Sequence, residues 1–162
     1  MFTEYMEAAK KIGKSYAPDD ERFSFPGFVL RRLGSGYSRT VFLVEDTRFV
    51  VKVSGDKEAC QREYEAWTKA SPSARRNLAR IFAYSHNALV MQYIAAPTCE
   101  RAGVYKKHPH RNEFGETSDW TCRFATALMK RLGIGDIHSQ NHAHINGRIV
   151  VFDYEGPPGK VE

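Results

Sequence analysis

Residues 28–53 read FVLRRLGSGYSRTVFLVEDTRFVVKV, and this stretch decides the fold. Two apolar runs, Phe28 to Leu33 and Val41 to Val44, flank the turn Gly34-Ser35-Gly36, which marks them as strands joined across it. The polar turn Asp46-Thr47-Arg48 leads into a third strand, Phe49-Val50-Val51-Lys52-Val53. A glycine turn lets backbone N–H groups approach phosphate oxygens without interference from a Cβ, though a plain hairpin needs the same residues. Lys52 breaks an apolar strand, so it either faces solvent or is held by a partner.

The next segment offers that partner. Asp56 to Ala70 has helical spacing and is closed by Ser71-Pro72. Ala59, Ala66, Trp67 and Ala70 line one face and Glu63 falls among them, whereas Glu65 lies with Arg62 and Lys69 on the polar side. A carboxylate on an apolar face needs a counter-charge. A Lys52–Glu63 pair meets both needs; Glu65 is the alternative partner, and a solvated helix edge is the plainer reading of Glu63.

Further out, Phe2, Tyr5, Met6, Ala9, Ile12 and Tyr16 recur at helical spacing before Pro18-Asp19-Asp20. Ala79 to Tyr84 and Leu89 to Ile94 read as two more strands around Ser85-His86-Asn87. Residues 95–117 read mostly as loop, and include the basic run Lys106 to Arg111. A helix is expected over Asp119 to Leu132, with Ser118 as its cap, Gly133 as its stop, and Trp120, Phe124, Leu128 and Leu132 as its stripe. A polar loop, Gly135 to His142, precedes Asn146-Gly147, the strongest short hairpin signal in the chain. In that loop Asp136 can accept a hydrogen bond from an attacking hydroxyl, and the Asn141 amide oxygen can ligate Mg²⁺. Asp153 ends the apolar strand Ile149 to Phe152, where a carboxylate can reach a second metal position or simply lead the chain into a turn.

Composition sets the class. The chain has 162 residues, 42% hydrophobic and 27% charged, as in an ordinary globular protein. Lys and Arg number 24 against 19 Asp and Glu, a mild basic excess compatible with nucleotide, RNA or acidic-protein partners. No apolar run is long enough to span a bilayer, and Met1 to Tyr5 lacks a signal-peptide pattern. Cys60, Cys99 and Cys122 are few and scattered, which fits reduced thiols and a cytoplasmic setting.

Taken in order, these pieces resemble the protein-kinase-like superfamily over residues 28–155. Gly34-Ser35-Gly36-Tyr37-Ser38-Arg39-Thr40-Val41 resembles the kinase glycine-rich loop, with Arg39 where a third glycine is expected. Phe49-Val50-Val51-Lys52 resembles the segment that carries the phosphate-contacting lysine, and Glu63 matches its helix partner. Met91-Gln92-Tyr93-Ile94 resembles the hinge that bonds adenine through backbone groups. Gly135 to Asn141 resembles the catalytic loop, and is closest to the aminoglycoside and choline kinase version with His138 two residues after the acid. Asp153-Tyr154-Glu155 resembles the metal-binding Asp motif.

The resemblance implies an α+β, protein-kinase-like fold. Residues 1–94 would form a five-stranded antiparallel N-lobe with one helix, and 95–162 a reduced, mostly helical C-lobe. It implies ATP and Mg²⁺ as cofactors. Gly34, Ser35, Gly36, Val41, Lys52, Gln92, Ile94 and His138 would contact nucleotide, Asn141 and Asp153 would ligate Mg²⁺, and Asp136, Lys52 and Glu63 would form the catalytic set. The implied reaction moves the γ-phosphate to a hydroxyl, with Ser or Thr of a protein as acceptor. The alternative is a weak or inactive kinase-like module that binds and regulates a partner protein; nucleic-acid binding through the basic loop stands well behind both. Three departures stand out. Arg39 either crowds the phosphates or adds charge to them, Ile134 replaces the usual His or Tyr, and the sequence ends about where kinases build their activation segment and substrate-holding helices.

Overall fold

The computed structural model describes residues 1–13, 19–35, 39–95, 110–111, 117–118, 127, 131, 142–146 and 148–154. The chain divides into two compact units, residues 1–65 with 80–93, and residues 66–79 with 94–162.

The first unit is built on a six-stranded antiparallel sheet with the order β1-β2-β3-β4-β6-β5. The strands are β1 (Arg22–Phe25), β2 (Phe28–Ser35), β3 (Arg39–Val44), β4 (Phe49–Ser54), β5 (Ile81–Ser85) and β6 (Ala88–Gln92). Five were expected, and β1 is the addition. It pairs Phe23 with Leu30 and Phe25 with Phe28 across Pro26-Gly27. Gly27 sits at φ 87°, the positive value that the third residue of a type II turn requires, and proline favours the position before it.

Helix α1 (Phe2–Ile12) covers one face of this sheet. Glu4 lies in its first turn and Lys10 and Lys11 in its last, each opposing the helix dipole. Its buried Tyr5, Met6, Ala9 and Ile12 join Leu30, Phe42, Val44, Val51, Val53 and Val90 in one core. Lys10 donates from Nζ to Glu7 and to the Ser85 hydroxyl, tying the helix to β5.

Strand pairing places Val41 opposite Lys52 and Lys52 opposite Leu89, so these three share the other face. Burial of α1 on one side thus leaves Lys52 on the side away from it. Helix α2 (Lys57–Lys69) follows β4 directly. Asp56 starts it, accepting the Glu58 N–H at Oδ1, while the Ser54 hydroxyl accepts the Asp56 N–H.

In the second unit, Arg75 of α3 (Pro72–Arg75) donates to the carbonyls of Trp67 and Thr68 at the end of α2, and its guanidinium lies 5.4 Å from the centre of the Trp67 ring. Two short antiparallel pairs belong to the same unit: β7 (His110–Arg111) with β8 (Thr117–Ser118), and β9 (His142–Ile145) with β10 (Arg148–Val151). The second pair is the hairpin read at Asn146-Gly147, and Asn146 adopts φ 48° there. Residues 77–79 run parallel to β10. The Val151 N–H donates to Asn77 O, the Ala79 N–H donates to Val151 O, and Asn77 Nδ2 donates to Ile149 O.

The helix read over residues 119–132 falls outside the described residues except at Ala127 and Arg131, which are helical. Among the described residues no helix is long and apolar enough to cross a membrane.

Candidate functional site

The Lys52 ammonium donates to Oε1 of Glu63 at 2.8 Å. Lys52 is 4% exposed and Glu63 is 0% exposed, which rules out a surface lysine and a solvated helix edge at these positions. Of the two carboxylates left open by the sequence, Glu65 instead accepts from Gln61 Nε2, one helical turn back. The pair arises from two periodicities. Alternation along β4 turns Lys52 away from α1, and helical spacing sets Glu63 one turn beyond the buried Ala59 and Cys60.

A third side chain completes the cluster. Arg39, the first residue of β3, donates from Nη1 to Oε2 of Glu63 at 2.5 Å. Each carboxylate oxygen therefore holds one cation. Sequence reasoning placed Arg39 among the phosphates. The alignment that finds its partner is the register of Arg39 with Ser54, two residues from the Val41–Lys52 pair, and only the folded sheet reveals it.

Gly34 lies where the β2–β3 register shifts between Arg32 and Gly34, and among the described residues, its two chain neighbours aside, no atom lies within 4 Å of where its Cβ would be. Its backbone is open to approach at that point. Ser35 is held from its side chain, sharing hydrogen bonds with Arg32 Nη2 and with the Thr40 hydroxyl opposite. Val41 is half-buried beside Lys52. Gln92 is bonded twice to Arg80: its backbone N–H donates to Arg80 O, and its side-chain Oε1 accepts from the Arg80 N–H. The next amide, of Tyr93, donates to Arg48 O. Ile94 follows the end of β6 and is half-buried. Gly36, Asp136, His138 and Asn141 lie outside the described residues.

Asp153 is half-buried on a segment pinned at both ends. Val151 is bonded to residues 77 and 79 before it, and after it the Tyr154 hydroxyl, 1% exposed as a residue, donates to Ala79 O at 3.0 Å. The sequence reading, which places Ala79 at the start of a strand, missed this anchor, because it joins positions far apart in the chain.

No family model matches the sequence, and no curated protein matches it at a significant level. Among solved structures it is similar to the apo form of PpkA-294, a Ser/Thr protein kinase, with a TM-score of 0.53 and 13% identity. The match takes in 86% of this chain and 61% of that one. Identity this low speaks to architecture alone, and the architecture is kinase-like.

Proposed function

We propose that the chain is a minimal ATP- and Mg²⁺-dependent kinase that transfers the γ-phosphate to a hydroxyl, with Ser or Thr of a protein as the acceptor. The carrying observation is the buried Lys52–Glu63 pair beside Val41 on the sheet face opposite α1, within a kinase-like fold. An ion pair taken out of water is costly and adds little stability over an apolar pair, so one placed beside a glycine turn is better accounted for by a ligand that uses the lysine.

In this reading Gly34, Ser35 and Gly36 offer backbone and hydroxyl groups to the phosphates, and Lys52 contacts them while Glu63 holds it. The engaged N–H of Gln92 leaves the backbone at Ile94 as the better adenine contact. Asn141 and Asp153 hold Mg²⁺, whose bound charge offsets that of the phosphates. His138 supports the loop or meets a phosphate, and Asp136 positions the acceptor hydroxyl. Phosphoryl transfer asks little covalent chemistry of a protein, so positioning and charge neutralisation supply the rate.

The test incubates the protein with Mg²⁺ and γ-labelled ATP, alone and with a cell extract, beside Asp136→Ala and Asp153→Ala. Label transfer by the native chain, lost in both variants, is the expected result. Nucleotide binding without transfer would instead favour a kinase-like module that regulates a partner. No binding at all would overturn both.

A further inference from the structure

We propose that Arg39 is a positioning residue for nucleotide, acting through Glu63 rather than on the phosphates themselves. This rests on the reading of Lys52 as a phosphate contact. Arg39 is the first described residue after the glycine turn, and its side chain is 9% exposed. Its register with Ser54 puts it on the Lys52 face, and it reaches Oε2 while Lys52 holds Oε1.

Glu63 is fully buried, so its charge is tolerated only while cations compensate it. When an ammonium turns toward a polyphosphate, its attraction to the carboxylate weakens. Were Lys52 the sole compensating cation, that loss would oppose nucleotide binding. Arg39 keeps the carboxylate compensated throughout, so Lys52 can be shared between Glu63 and the phosphates. A guanidinium suits the task, since it is planar, always charged and more weakly hydrated than an ammonium. The same contact ties the start of β3 to α2 beside Lys52.

Mg²⁺·ATP titration calorimetry on Arg39→Met, Arg39→Lys, Glu63→Gln and the double variant Arg39→Met/Glu63→Gln tests this, with folding of each checked by urea titration. Arg39→Met is expected to weaken Mg²⁺·ATP about tenfold, the scale of one charge-assisted hydrogen bond, and Arg39→Lys to recover part of the loss. In the Glu63→Gln background the same Arg39→Met change should alter affinity by less than about twofold. An undiminished loss in that background would mean Arg39 acts on the phosphates directly and would overturn the proposal. Native affinity in Arg39→Met would reduce the contact to a structural tie and overturn it as well. If Arg39→Met does not fold, Arg39→Gln carries the same comparison. A native chain that fails to bind Mg²⁺·ATP at millimolar concentration would remove the nucleotide reading itself, an outcome distinct from the other two.

Discussion

Lys52 and Glu63 meet at 2.8 Å, one from the middle of a strand and one from the next helix, with 5% and 0% of their side chains exposed. Removing one member of such a pair leaves a buried charge uncompensated, which typically costs about 3–5 kcal/mol. Glu63→Gln removes the carboxylate that Lys52 and Arg39 both contact and should fall in that range by urea denaturation. Lys52→Met should cost less, because Arg39 still sits on Oε2. Equal costs would mean that the arginine does not share the carboxylate.

The start of α2 carries a pH signature. The Asp56 carboxyl is held below the ordinary carboxylate range, chiefly by the Glu58 N–H; burial opposes this, and Arg62 adds to the lowering. A carboxyl held low in the fold is still ionised where the unfolded chain has begun to take up the proton. Its stabilisation is therefore full above the ordinary carboxylate pKa, and disappears as pH falls through the lower folded value. Melting temperature followed from neutral to acid pH should show this decline in the native chain and a shallower one in Asp56→Asn.

Tyr154 offers a test of the second unit alone. Its hydroxyl donates to Ala79 O from a residue that is 1% exposed, so Tyr154→Phe leaves a buried carbonyl short of a donor. The expected cost is about 1 kcal/mol in chemical denaturation. A neutral substitution would show that Ala79 O finds another donor and that the segment bearing Asp153 does not depend on this anchor.

Local patterns were readable. The alternation of β4 and the spacing of α2 were enough to nominate Lys52 and Glu63, and Asn146-Gly147 was enough to place the β9–β10 hairpin. The strand β1 was legible too, in Phe23, Phe25 and Phe28 around Pro26-Gly27. Contacts that depend on register between elements were not legible. Arg39 reaches Glu63 only because β3 and β4 pair Arg39 with Ser54, and residues 77–79 lie along β10 across some 70 intervening positions. The choice between Glu63 and Glu65 was of the same kind, since helical spacing gives the face and packing gives the partner. Asp136 and Asn141 rest on sequence alone.

The central claim is that the Lys52–Glu63 pair serves a nucleotide. Its most direct test is Mg²⁺·ATP binding to the native chain and to Lys52→Met, measured by calorimetry with both proteins shown to be folded. The account predicts saturable binding by the native chain and a loss of about tenfold or more in the variant, as expected for removing a charge-assisted contact to phosphate. Equal affinity in the two proteins, or no binding by either at millimolar nucleotide, would contradict it.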